Sequence, residues 1–452
     1  MIRKAFFVAV ATLGVSIATA VSHPRAQSLS TPASSSTANT ATSANQPADN
    51  SVVVDPSHIP PWIDPGDIPL IEGVQSVVAR HDDVPVFEGP SANTKRRGTL
   101  APHVPVPLFA MHRAEGCAGR WAMVGPLAWV CQDGVTLSKT RPVGIHEVDY
   151  RSSENGLLYQ YYRVGARGAW GYGRLRSVDI AVPEQSFEPG FFIAADRTQA
   201  HNGESYVHTT RGLWVALRDL TPASPSSFRG VQVSDGKLDF AWVYKDKVTS
   251  FVMPGRKKAA SLERLQRLAI LERQTSNRKT ILRIDDNVWV NESDVRMPTT
   301  SAPPSGVAAG ERWIDVHLAS QTLVAYQGDR PVYATMVSTG RGRAGSGLET
   351  PVGEYKIWVK LLTSNMGNVE QEAGSELYSI EDVPYVQFFH RGVGLHGTLW
   401  HDRFGTERSH GCVNLSSADA RWLFDFTGPR LPAGWRAVLP SQYAAATVVR
   451  VR

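Results

Sequence analysis

Hydrophobic positions along the chain fall mostly into short runs broken by Gly, Pro, Asn and Asp, a pattern of brief strands and tight turns. Val104 to Phe109 and Ser205 to Val207 are two such runs. Three segments end alike. AWVCQDGV (Ala128–Val135), LWVALRDL (Leu213–Leu220) and VWVNESDV (Val288–Val295) each set a Trp-Val pair ahead of a polar turn and an aliphatic residue. Two stretches depart from the pattern. Ala259 to Gln274 spaces Leu262, Leu265 and Leu268 at helical intervals, which leaves helix and strand both open. Ala418 to Phe426 carries Leu423 and Phe426 at helical spacing behind Ser416 or Ser417, either of which can cap a helix. The expected fold class is mainly β with one short helix.

The N-terminus reads as an address. Arg3 and Lys4 precede an apolar, small-residue run from Ala5 to Ala20, and Ala18-Thr19-Ala20 suits a signal peptidase. A short membrane anchor is the alternative, but the run is brief for a bilayer and no later apolar run is long enough to span one. No cysteine lies near the cut to carry a lipid. Export to the periplasm or cell envelope is expected, with no stable membrane anchor after cleavage. Residues 21–57 are rich in Ser, Thr and Ala, a composition that cannot offset ordering entropy, and read as a disordered linker. A second linker, PTTSAPPSGVAAG, covers 298–310. Between them lie a first β module over 58–140 and a further β-rich region over 141–297; residues 311–450 form the C-terminal domain.

A length of 452 residues accommodates about three domains. The net charge of +5 is too small for this length to argue for nucleic acid. From Glu311 onward the charges balance at 14 basic and 14 acidic residues, so the excess sits upstream. The chain has 3 cysteines. Cys117 and Cys131 flank one strand pair, and in an oxidising compartment a disulfide is expected, closing a loop worth about 3 kcal/mol. Two buried free thiols are the alternative.

Cys412 is the thiol left over. It follows Ser409-His410-Gly411, just ahead of the expected helix. His396 stands 16 residues upstream at the end of the apolar run Val393–Leu395. A thiol attacks a carbonyl once an imidazole removes its proton. Gly411 allows close backbone approach to an oxyanion. Gly397 leaves a carbonyl open to hold the second imidazole nitrogen and fix the tautomer. Zinc is the rival reading, because His396, His401, His410 and Cys412 offer four ligands, though their spacing matches no usual zinc pattern.

Four ordered blocks now carry a resemblance. They are WIDVHLASQTLVAYQGDRPVYATMVSTGR (Trp313–Arg341), ETPVGEYKIWVK (Glu349–Lys360), VPYVQFFHRGVGLHGT (Val383–Thr398) and SHGCVNL (Ser409–Leu415). Together they resemble an L,D-transpeptidase catalytic domain of the YkuD type, a β-rich fold that crosslinks peptidoglycan. The resemblance implies Cys412 as nucleophile, His396 as base and Gly397 as the orienting carbonyl. It places His410, Gly411 and the Cys412 backbone around the oxyanion. Ser409 and Asn414 fall at substrate-contact positions; many members carry Arg where Asn414 stands. Trp400 and Tyr385 are candidates to line the substrate groove, and the loop from Met366 to Glu381 to form a lid. The implied partners are peptidoglycan stem peptides, with carbapenem-type β-lactams as covalent inhibitors, and no metal or organic cofactor is required. An L,D-carboxypeptidase, a lipoprotein-to-peptidoglycan transferase and a catalytically degenerate wall-binding protein remain as alternatives. The three Trp-Val endings resemble bacterial SH3-like barrels, small modules often joined to cell-wall enzymes.

Overall fold

The three sequence endings that look alike fold alike. In each, a strand carrying the Trp-Val pair runs into one 3-10 turn and then a short strand. The turns are Gln132–Gly134, Leu217–Asp219 and Glu292–Asp294. The Val of each pair, Val130, Val215 and Val290, is fully buried at 0 % exposure, and the Trp beside it is buried too. These residues anchor three separate small cores, one around Val77, Val86 and Val106, one around Ile193, Val207 and Val215, and one around Val243, Leu282 and Val290. The computed structural model describes residues 71–143, 155–343, 345–368, 378–442 and 444–452. The expected signal peptide and first linker lie outside those residues.

Cys117 and Cys131 are joined as a disulfide, with Cα atoms 5.6 Å apart. The Asp133 carboxylate braces the same loop by accepting from the Ala118 and Gly119 N–H groups, each at 3.1 Å.

The stretch from Ala259 to Gln274 is not helical. It forms the end of one strand (Lys257–Leu262), a turn at Leu265 with φ +69°, and a second strand (Arg267–Ala269). Cross-strand bonding decides it. Leu265 N–H donates to Val243 O and Ile270 N–H to Asp239 O, while Leu262 and Leu268 enter one core and Leu265 packs against another. Leucine spacing is a weak signal once a neighbouring strand supplies those partners.

The C-terminal part is built on two sheets around one core. The first contains Arg312–His317, Thr322–Gln327 and Arg330–Met336 as an antiparallel meander, with Val448–Val451 parallel to the opening strand. The second contains a long hairpin, Val359–Gly367 with Ser379–His390, followed by Val393–Thr398. Val413–Ser416 then runs parallel to Val393–Thr398. The helix Ser417–Phe426 closes the gap and buries Ala420, Leu423 and Phe424. Ser416 is the residue that caps it, its side chain accepting from Asp419 N–H. Asp419 is itself buried and accepts from Gly230 N–H, Tyr333 O–H and Thr335 O–H, which ties helix to meander.

Residues 298–310 contain no strand or helix, yet they are held to the C-terminal part. Tyr326 O–H donates to Thr299 O, and the Arg450 guanidinium to Ser301 Oγ. The upstream units are hydrogen-bonded into the same framework. Arg96–Leu100 pairs with Trp435–Val438, an approach allowed because a Cβ at Gly98 would lie 2.1 Å from Ala437 O. Phe192 bridges to Ile380 on the long hairpin.

Candidate active site

The parallel pair Val393–Thr398 and Val413–Ser416 sets the site, because its register puts His396 beside Asn414 and the preceding Cys412 at the mouth of the ladder. Cys412 is the free cysteine, half-buried at one wall of a cleft of about 600 Å³. Its S–H is directed at Gly392 O at 3.7 Å. The same cleft is lined by His396, Trp400, Ser409, His410 and Asn414.

His396 is 2 % exposed. Its Nδ1–H donates to Gly397 O at 3.0 Å, which directs Nε2 away from that carbonyl and fixes the tautomer. Burial lowers its pKa to about 4, against a smaller opposing effect of the Gly397 carbonyl. Burial also pushes the Cys412 thiol up, opposed by the backbone at Gly394. Both groups are therefore held neutral, since desolvation penalises the charged form of each. Trp400 stacks on the His396 ring, centroids 5.8 Å apart, and lines the cleft.

The sequence blocks meet around the thiol. Ser338 and Asn414 exchange backbone hydrogen bonds, and Arg408 and Ser409 N–H both donate to Thr339 O. Thr350 O–H donates to Gly411 O at 2.6 Å while accepting from Gly340 N–H. Gly411 sits at φ +124°, a conformation open to glycine, which is what lets the chain turn into Cys412.

Three assignments shift in detail. The Gly411 N–H, expected to face an oxyanion, donates to Ser409 Oγ at 3.1 Å. Ser409 O–H in turn donates to Cys412 O, so this hydroxyl staples the loop at the wall of the cleft. Tyr385 is not in the groove at all. It is 1 % exposed and packs on Phe424, 5.7 Å between rings. Tyr385 joins Phe389 in the core beneath the helix while Phe388 lines the cleft, and the left-handed backbone at Tyr385, φ +59°, keeps strict alternation from running through it.

Asn414 is paired with His401, the amide 2.9 Å from Nε2. His401 Nδ1 accepts from Arg403 N–H, so a neutral imidazole must carry its proton on Nε2. Asn414 Nδ2 is the atom that faces this nitrogen, so exchanging the amide's Oδ1 and Nδ2 is what lets Oδ1 accept from the Nε2–H. Burial lowers the His401 pKa to about 4, with Arg408 adding to the effect. His410 lies exposed at the cleft rim, where its Nε2 accepts from Arg341 at 3.0 Å and its ring stacks on Tyr378 at 5.4 Å.

Arg341, Arg408 and Tyr378 complete the polar side of the cleft, together with Asn365. Arg341 closes a quoted block but carried no signal of its own. Gly190 and Phe192, which also line the cleft, come from the second upstream unit and are invisible to motif reasoning. The Met366–Glu381 lid segment begins and ends as strand, and its residues 369–377 lie outside those described. Zinc fits poorly. Among the described residues, the His, Cys, Asp and Glu atoms gathered at ligand spacing are those of Cys117, Cys131 and Asp133, whose sulfurs are spent in the disulfide.

Comparison with curated proteins finds no match. Among solved structures, a crystal structure of a mutant Enterococcus faecium L,D-transpeptidase is similar at 20% identity and TM-score 0.24, covering 32% of this chain and 50% of that one. An L,D-transpeptidase from Stackebrandtia nassauensis is 27% identical with TM-score 0.22, covering 34% and 58%. L,D-transpeptidase 3 from Mycobacterium tuberculosis, solved with a faropenem-derived adduct, is 19% identical with TM-score 0.25, covering 38% and 76%. The chain thus spans about half the length of the Enterococcus faecium protein. The family model of the L,D-transpeptidase catalytic domain, YkuD, matches residues 311–438, and that part of the chain is a domain of this family.

Proposed function

We propose that the protein is an exported L,D-transpeptidase that crosslinks peptidoglycan through a thioester on Cys412. The observation that carries this reading is the free Cys412 thiol sharing one cleft with a buried His396 whose Nδ1 is tied to Gly397 O. The donor is a tetrapeptide stem. Cys412 sulfur attacks the carbonyl of its third residue, a diamino acid, as His396 Nε2 takes the thiol proton. Because both groups rest neutral, this transfer accompanies attack rather than preceding it. With the Gly411 N–H committed to Ser409, the Cys412 N–H is the backbone donor left for the oxyanion.

The bond from that carbonyl to the terminal D-alanine nitrogen then breaks, and His396 returns the proton to the departing amine. A side-chain amine of a neighbouring stem attacks the thioester, an amide forms, and sulfur leaves with the proton. The products are a crosslink between third residues and D-alanine. Arg341 and Arg408 give the cleft a cationic rim suited to stem carboxylates. The upstream units are read as SH3-like modules that act in the cell envelope.

Intact-mass measurement after incubation with a carbapenem tests the nucleophile. One covalent adduct is expected on the wild-type chain and none on Cys412→Ala. An adduct of equal yield on the variant would overturn Cys412 as the nucleophile. Product analysis with a tetrapeptide donor then distinguishes transfer to an amine from transfer to water, which would make the enzyme a carboxypeptidase.

A further inference from the structure

One wall of the cleft belongs to none of the family's sequence blocks. Gly190 and Phe192 line it from the second upstream unit, facing the cleft that holds Cys412 and His396. We infer that Phe192 is a specificity-determining residue of the substrate cleft, contributed by an upstream module rather than by the catalytic domain. The inference rests on the proposed stem-peptide reading for the identity of the ligand, but not for the existence of the wall.

The chain is built to deliver this side chain. Glu188-Pro189-Gly190-Phe191 closes a turn in which Phe191 N–H donates to Glu188 O at 3.2 Å and Gly190 adopts φ +85°. Pro at the second position and Gly at the third suit a type II turn. The strand Phe192–His201 leaves the turn, and its first residue bridges in parallel to Ile380 on the hairpin that walls the cleft. Beside that bridge Ala194 N–H donates to Glu381 Oε2, Tyr161 O–H to Asp382 O and Thr210 O–H to Asp382 Oδ2. Four points of attachment therefore fix the turn against the hairpin.

Phe192 itself is only half-buried. It packs against one cluster with Leu399 and Trp400 and another with Ile380 and Val383. Trp400 stacks on His396, so the phenyl ring extends the apolar side of the cleft that ends at the catalytic imidazole. Arg341 and Arg408 line the same cleft as its charged side. A ligand with an aliphatic face and a carboxylate fits such a pair of walls, as a peptide stem carrying a diamino acid does.

The test uses the full chain. Calorimetry of tetrapeptide binding to Cys412→Ala gives the reference affinity without turnover, and Phe192→Ala on that background is expected to weaken it roughly tenfold, the value of one partly buried aromatic contact. In the active chain Phe192→Ala should raise KM by a similar factor with kcat nearly unchanged, and Phe192→Leu should restore most of the loss. Alkylation of Cys412 by iodoacetamide should match wild type in both variants, and Phe192→Leu should keep the wild-type melting temperature, whereas a merely structural role would move thiol reactivity together with stability. Unchanged binding, or equal falls in melting temperature and thiol reactivity, would overturn the inference. So would failure of the Cys412→Ala chain to bind the peptide at all. Binding that depends on Phe192 in a chain that forms no thioester would instead sink the proposed reaction and leave the wall standing.

Discussion

Burial of the Cys412–His396 pair has consequences that titration can read. His396 and His401 both have pKa values lowered to about 4 from an ordinary 6.5, chiefly by burial. Between those values the unfolded chain takes up protons that the folded one refuses, so stability is fully present above 6.5 and is lost as pH falls toward 4. For His396 the loss is on the order of 3 kcal/mol. Urea unfolding at pH 7 and pH 4.5 should show it, and His401→Gln should reduce the difference; an equal difference in that variant would remove His401 from the account. That His396 and Cys412 come together was legible in the sequence, because His396, Gly397, Gly411 and Cys412 sit within short blocks whose neighbours are small. The role of Ser409 was not. Nothing in Ser-His-Gly-Cys tells whether the hydroxyl faces a ligand or its own loop, and only the folded turn shows it accepting from Gly411 and donating to Cys412.

Strands and the helix set the next level. The register of Val413–Ser416 on Val393–Thr398 places the thiol, and the Ser417–Phe426 helix fixes that register from behind through Asp419. With its carboxylate receiving Gly230, Tyr333 and Thr335, Asp419→Ala would leave buried donors unpaired, at a cost of about 3 kcal/mol. Chemical denaturation should register that loss, while a substitution at the exposed Asp235 should not. Ser416 or Ser417 as the cap was readable from composition, and the structure selects Ser416. Tyr385 was misplaced for a reason at this same level. A strand covered on both faces gives no sequence cue to which side holds the cleft, and the left-handed backbone at Tyr385 breaks the parity that a sequence reading would rely on. Ala259–Gln274 was ambiguous because its leucine spacing ignores the neighbour Phe240–Val243 that supplies its hydrogen bonds.

At the scale of the whole molecule, the family match ends where much of the support begins. Trp435 lies in the core of the first upstream unit, and Trp435–Val438 is paired to Arg96–Leu100. The third unit grips the loop that carries His401: the Arg264 guanidinium donates to Asp402 O, and that of Arg296 to Gly405 O. A fragment limited to residues 298–452 should therefore melt below the full chain, with Trp435 alone accounting for about 2 kcal/mol of lost burial. Differential scanning calorimetry of the two would decide, and equal melting temperatures would count against structural dependence on the upstream units. Motif reading could not reach this, since contacts between distant units leave no local pattern.

The hydrogen bonds from Gly98 and Phe192 into the sheet that holds His396 also act on reach. Domains strung on a slack cord sample many separations, and each helps the other only through raised local concentration. Here the cord is replaced by a ruler. Any chain held by an upstream unit would meet Cys412 at one fixed offset, so the distance between grip and thiol is written into the protein's own backbone.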